Sequence, residues 1–301
     1  MNIMKQQEAT LVQRACAKVA GFKNLHKRLE KKIIVSGMSL STLNNYMRCI
    51  SHVALYFACL PTALDLEQIE EYLLWVKKKN QTASESFFKH TVYGLRFLFR
   101  CEGLDERAIK LPSLKRDHKL PVVLGRAEMK ALLKVPELLK HRVLIGLLYG
   151  CGLRCQEVRS LLIKDVDFER NVIHIRQSKG RKDRYVPIGT HLRRGLKTYL
   201  TVECPHKWLF NGKNHQEGFS QKGVQWVVRE ATKKTNIQKQ VTVHTLRHTY
   251  ATHLLEDGLD IVSIKELLGH AHIETTMVYL HVAQQGRQAP FSPLDRLYGK
   301  Q

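Results

Sequence analysis

Two glycine stops near the end of the chain constrain its fold most. From Val241 to His281 the sequence reads VTVHTLRHTYATHLLEDGLDIVSIKELLGHAHIETTMVYLH. Leu246, Tyr250, Leu254 and Leu255 recur at helical spacing, so a helix from Thr245 onward has one buried side. Gly258 reads as the residue just past its end, where a left-handed backbone costs glycine nothing. Asp260 can cap a second short helix, Ile261 to Leu268, which Gly269 ends. A third helical stretch follows Thr275 and Thr276 and carries Tyr279. This punctuation holds His244, Arg247, His270 and Tyr279 in one short span. His244 and Arg247, three apart, share a face near the start of the first helix.

Such a set suits phosphoryl transfer from DNA to a protein hydroxyl. The transition state spreads charge over the non-bridging oxygens and asks for fixed cations and hydrogen-bond donors. Tyrosine can act as the nucleophile. With a phenol pKa of about 10 it needs a base or a cationic field to attack at neutral pH.

The stretch resembles the signature of the tyrosine recombinases, or phage integrase family. His244-Thr-Leu-Arg247 matches their H-x-x-R box, Leu268-Gly269-His270 their L-G-H box, and Thr275-Thr276-Met-Val-Tyr279-Leu-His281 their T-T-x-x-Y-x-H motif. Upstream, Gly152-Leu-Arg154-Cys-Gln-Glu157 matches the G-L-R-x-x-E box. There Arg154 opens a helix, where the dipole also favours an anion, and Glu157 can orient it one turn on. The resemblance covers residues 121–283 closely and 38–110 loosely.

Charge and length fit that reading. The chain has 301 residues and a net charge of +22. Residues 1–120 carry 20 basic against 11 acidic side chains, and residues 121–301 carry 29 against 16. Two basic halves suit one long polyanion, double-stranded DNA. The seven cysteines include no C-x-x-C pair, and Cys151 and Cys155 have no second pair to complete a zinc set. Residues 1–21 have no apolar core of signal-peptide type. The longest apolar run, Val143 to Leu153, is too short to span a bilayer. The expected location is therefore cytoplasmic, at the nucleoid when bound to DNA, with no membrane partner.

The fold expected is mainly α with a small antiparallel sheet: a helical N-terminal DNA-binding unit followed by a catalytic domain. Residues 1–37 form a basic extension, with a helical pattern from about Ala9 to Ile34, which is either an arm on DNA or a solvated helix. Residues 38–112 read as a helical unit. It has helices from Ser41 or Thr42 as cap, from Leu66 to Lys79, and from Ser84 to Arg100. Its Ser39-Leu-Ser-Thr42-Leu-Asn-Asn-Tyr46 start resembles the core-binding domain of the same family. Residues 113–120 are a linker framed by Pro112 and Pro121, with Lys115, Arg116 and Lys119 as candidate DNA contacts. The catalytic domain spans 121–285 and a tail 286–301. Within it, Val172 to Arg176 and Tyr185 to Ile188 form a hairpin with a basic tip, where Arg181, Lys182 and Arg184 can hold phosphates.

The resemblance implies site-specific DNA strand exchange through a 3′-phosphotyrosine. Tyr279 would attack the scissile phosphate, with Arg154 and Arg247 on its non-bridging oxygens. His270 would donate to them, His244 would assist proton movement, and Lys179 would protonate the leaving 5′ oxygen. Choosing Lys179 over Lys182 rests on the family motif. Religation would need no metal, nucleotide or other cofactor. Four protomers would act on two DNA sites. A type IB topoisomerase shares this chemistry without synapsis, and a non-catalytic DNA-binding protein would tolerate loss of Tyr279. A metal-dependent nuclease needs clustered carboxylates. The nearest sets, Asp165, Asp167 and Glu169, then Glu256, Asp257 and Asp260, read more simply as turns and a helix cap.

Overall fold

The computed structural model describes residues 9–79, 85–114, 120–176, 183–212 and 217–283. The chain divides into two compact units, Met1–Asp117 and His118–Gln301.

The first unit is all helical: α1 (Leu11–Lys18), α2 (Phe22–Val35), α3 (Leu40–Phe57), α4 (Leu66–Lys79), α5 (Glu85–Cys101) and α6 (Asp105–Lys110). The N-terminal segment is not the separate extension expected from its charge. Ala15, Val19, Phe22, Leu25, Leu29 and Ile33 are fully buried in the same core as α3 to α5. Each such apolar side chain contributes roughly 1.5–3 kcal/mol when taken out of water. The lysines between them lie on the opposite face. Nor is the segment one helix, because Gly21 takes φ +77 and breaks it into α1 and α2. Helix α3 starts earlier than expected, with Ser39 as its cap. The Ser39 Oγ accepts the Thr42 N–H at 3.2 Å. Helix α6 lies where no element was expected.

The second unit is built around α8 (Leu139–Gly150), which buries Val143, Leu144, Ile145, Leu147 and Leu148. A helix apolar on nearly every side belongs at a centre, and α8 packs against α10 (Thr190–Glu203) and α12 (Val243–Glu256). Around it lie α7 (Arg126–Lys134), α9 (Cys155–Ser160) and α11 (Gln221–Lys233). The expected hairpin is β2 (Val172–Ile175) with β3 (Arg184–Pro187), paired Ile173 to Val186 and Ile175 to Arg184. A third strand, β1 (Val166–Asp167), joins its edge antiparallel. The fold is thus mainly α with a small antiparallel sheet.

The described residues end with α13 (Ile261–Leu268), α14 (Glu274–Met277) and a 3₁₀ turn, Val278–His281, and the last two form the expected short helical stretch that carries Tyr279. Gly258 and Gly269 end α12 and α13 as expected, and the Asp260 carboxylate caps α13 by accepting from the Val262 and Ser263 N–H groups. A separate small cluster of Tyr250, Ala251, Ile264, Leu268 and Tyr279 locks these last elements together. No helix among the described residues is long and apolar enough to cross a membrane.

Candidate active site

The site begins at the end of α13. Its last carbonyls have no intrahelical partner and carry the negative end of the helix dipole. Three consecutive ones each accept from a different arginine. Arg184 Nε donates to Leu267 O at 2.8 Å, Arg247 Nη2 to Leu268 O at 2.6 Å, and Arg154 Nη2 to Gly269 O at 3.1 Å. These arginines come from β3, α12 and the residue capping α9, so one helix terminus gathers three distant segments.

Glu157 is the second gathering point. Its buried carboxylate accepts from Arg154 Nη1 at 2.7 Å and from both Arg184 terminal nitrogens at 2.8 Å. It also accepts the Arg154 backbone N–H at 2.8 Å, and Arg247 Nη1 lies 3.9 Å away. Burial alone would raise its pKa, but the hydrogen bonds and charge of Arg184, with those of Arg154, hold it far below the carboxylate range. Three guanidinium charges against one carboxylate leave the cluster positive. A buried positive surplus is a site built for an anion.

Gly152 fixes how close these parts come. It sits at φ +58, and a Cβ there would lie 2.3 Å from the Tyr250 ring. Its carbonyl accepts Arg247 Nη1 at 2.6 Å. Arg247 is 3 % exposed. Burial and the Arg154 charge push its pKa down to about 9, so it stays cationic at neutral pH.

The imidazoles around these cations are neutral. His270 follows the left-handed Gly269, and its Nδ1 is 2.9 Å from Thr276 Oγ1. Burial, then Arg247 and Arg154, lower its pKa to about 3. His244 lies on the first turn of α12, and its pKa is lowered by burial and by Arg247 and Arg154. Tyr279 is 1 % exposed. Burial raises its pKa, while Arg247 and Arg154 pull it back. Its Oη lies 3.0 Å from His248 Nδ1. His248 is the residue that the sequence motifs did not single out. The signal was present: it lies four residues after His244, on the same helix face.

The structure therefore brings Arg154, Glu157, His244, Arg247, His270 and Tyr279 together. Lys179, Arg181 and Lys182 lie outside the described residues, as do Lys115, Arg116 and Lys119. Arg184, expected to hold phosphate at the hairpin tip, donates to Glu157 and Leu267, with its side chain 9 % exposed. Arg184 shares the inward face of β3 with Val186, two residues on. The carboxylates of the metal-dependent reading are engaged elsewhere. Asp165 pairs with Arg176, Asp167 accepts the Glu169 and Arg170 N–H groups, and Asp257 pairs with Arg126.

The model of the phage integrase family matches residues 123–286, more than half of the chain. The chain belongs to the phage integrase family. A putative integrase/recombinase, y4qK, of Sinorhizobium fredii is 32 % identical over 277 residues, covering 91 % of this chain and 89 % of that protein. The tyrosine recombinase XerA of Thermococcus onnurineus is 40 % identical over 211 residues, covering 68 % and 74 %. Among solved structures, a XerA recombinase aligns with a TM-score of 0.50 at 27 % identity, over 92 % of this chain and 97 % of that one. The Tn1549 transposon integrase in complex with a circular intermediate DNA shares the fold, with a TM-score of 0.68 at 20 % identity, over 91 % and 98 %. This integrase-family chain is a tyrosine-type site-specific DNA recombinase, and DNA is its partner.

Proposed function

We propose that this recombinase cuts and rejoins DNA through a 3′-phosphotyrosyl intermediate on Tyr279. The carrying observation is the three-arginine cluster around Glu157, set beside a buried tyrosine on its neutral histidine. A scissile phosphate entering the cluster meets Arg154 and Arg247 at its non-bridging oxygens. Arg247 is held at both terminal nitrogens by Gly152 and Leu268, so its charge is preorganised and needs no reorientation during reaction. His270 donates to the same oxygens, and its Thr276 contact fixes the ring. The Tyr279 Oη–P bond forms as the P–O5′ bond breaks. His244 assists proton movement, and Lys179 protonates the leaving 5′ oxygen. Energy stays in the phosphotyrosine, so a 5′-hydroxyl can reverse the step without metal or nucleotide. Glu157 and Arg184 bear the load of assembly rather than of chemistry.

The wider assignment follows from charge. Residues 38–112, as a DNA-binding unit, and residues 121–285, as the catalytic domain, would each contact the duplex, since both halves of the sequence carry an excess of basic side chains. The recombining species is a tetramer on two sites, acting at the nucleoid of the cytoplasm. The deciding test is a covalent trap. Wild type and Tyr279→Phe are incubated in EDTA with nicked duplexes tiled across DNA flanking the encoding gene, then run on denaturing gels. An adduct from wild type alone is expected. No adduct on any duplex with binding intact would leave only a DNA-binding protein, and relaxation of a supercoiled circle lacking a second site would favour a topoisomerase.

A further inference from the structure

We infer that His248, through Nδ1, is the proton acceptor for the Tyr279 hydroxyl, a catalytic role that rests on the phosphotyrosine reading above. Among the residues proposed for the reaction, Lys179 serves the leaving oxygen and His244 is otherwise given to proton movement. His248, however, is the imidazole in contact with the nucleophile, at 3.0 Å, with ring centroids 5.7 Å apart. That is hydrogen-bond reach for a general base. Helix α12 makes the contact rigid. Its first turn is capped by the Thr242 hydroxyl, and Arg247, the preceding residue, is anchored to two backbone carbonyls. The Tyr279 end is equally fixed, packed with Tyr250, Ala251, Ile264 and Leu268.

The proton states are consistent. Burial, then His244 and Arg247, lower the His248 pKa to about 4, so at neutral pH the ring is uncharged and Nδ1 can accept. The charged and titratable groups around it are His244 and Arg247 on its own helix, His270 at the end of α13, and Tyr279 on the 3₁₀ turn. A phosphodiester bound at Arg247 offsets one of the cations that depress His248. Its basicity therefore rises when substrate is in place, and the phenol stays protonated until then. In the step itself the Oη–P bond forms, the Oη proton passes to Nδ1, the P–O5′ bond breaks, and the leaving oxygen takes a proton from the general acid. Exposed His244, whose ring centroid is 6.4 Å away, lies on the side toward solvent.

The test is the single-turnover rate of adduct formation on the nicked duplexes, for wild type, Tyr279→Phe, His248→Ala and His248→Asn. The asparagine Oδ1 replaces Nδ1 as a hydrogen-bond acceptor but cannot take a proton. Both His248 variants should form adduct slower by on the order of 10²-fold, at unchanged DNA affinity, with the asparagine variant keeping its urea midpoint. The defect should persist on a duplex with a 5′-bridging phosphorothiolate, whose leaving thiolate needs no proton. A wild-type rate for His248→Asn would reduce His248 to a hydrogen-bonding support. Rescue by sulfur would move its action to the leaving group. Either result overturns the assignment while leaving the phosphotyrosine reading intact. Absence of adduct from wild type itself would remove that reading and the proton acceptor together.

Discussion

Helix α12 carries two histidine–tyrosine pairs joined by hydrogen bonds of nearly the same length. His248 Nδ1 lies 3.0 Å from Tyr279 Oη, and His253 Nδ1 lies 2.9 Å from Tyr149 Oη. The difference is at the other ring nitrogen. His253 Nε2 is 3.0 Å from the Leu124 carbonyl, which can only accept. That fixes the hydrogen on Nε2, and the Tyr149 hydroxyl must then donate to Nδ1. This pair is a staple, tying α12 to α8 and to the start of the second unit. Among the described residues no carbonyl accepts from the other nitrogen of His248, which stands next to Arg247. The same two side chains serve as a clamp in one place and as a reacting pair in the other, and the neighbours decide which.

The largest effect should come from deleting one hydroxyl from each pair. Tyr279→Phe should abolish covalent adduct formation with little change in the urea midpoint. Tyr149→Phe should keep the adduct and lower stability by about 1 kcal/mol, the net value of one hydrogen bond. Loss of adduct in both variants, with both folded, would erase the distinction between the pairs.

Much of this site was legible from the chain, because its elements are set by local signals. Asp260, Gly258 and Gly269 state where α12 ends and α13 starts and stops, and a box with Arg154 three residues before Glu157 states its own contact. What was not legible depends on long-range geometry. Arg184 reads as one more basic residue of a hairpin tip until β3 is placed against α13, where only a buried cation can serve Glu157 and Leu267 together. His248 belongs to none of the sequence boxes, and only the 3₁₀ turn that brings Tyr279 onto it reveals its contact. At the N-terminus the helical pattern was legible, but not its partner: that the stripe Phe22, Leu25, Leu29 and Ile33 packs with α3 to α5 is a long-range fact, while the lysines on the opposite face suggest a solvated segment.

Glu157→Gln should come next in size. Removing one partner from a buried ion cluster costs roughly 3–5 kcal/mol, because the remaining charges stay buried without compensation. The comparison is sharpened by where the damage goes. Nitrogen chemical shifts of the imidazoles should change at His248 and His270, which both feel the charge of Arg247. They should not change at His253, whose tautomer is set by Leu124. A shift at His253 would show that the two pairs are electrostatically one site. His253→Ala should then cost about 2 kcal/mol through two lost hydrogen bonds and an unpartnered carbonyl, with the adduct rate per folded molecule unchanged.

The smallest effect is a pH dependence shared by both pairs. His248 and His270 have pKa values lowered to about 4 and about 3, and those of His244 and His253 are lowered as well. Unfolded histidine titrates near ~6.5. As pH falls below that value the unfolded chain takes up protons that the folded one refuses, so stability is complete above it and declines on acidification. Glu157, held far below the carboxylate range, adds a second loss that begins only near ~4.3, where unfolded glutamate protonates. Urea midpoints measured downward from neutrality should therefore fall in two stages, the first carried by histidines and the second by Glu157. His248→Asn and His253→Asn should each flatten the first stage, although only His248→Asn slows the reaction. A first stage untouched by either variant would mean that neither ring has a lowered pKa in the folded chain, and that the surrounding burial and cations do not hold His248 neutral.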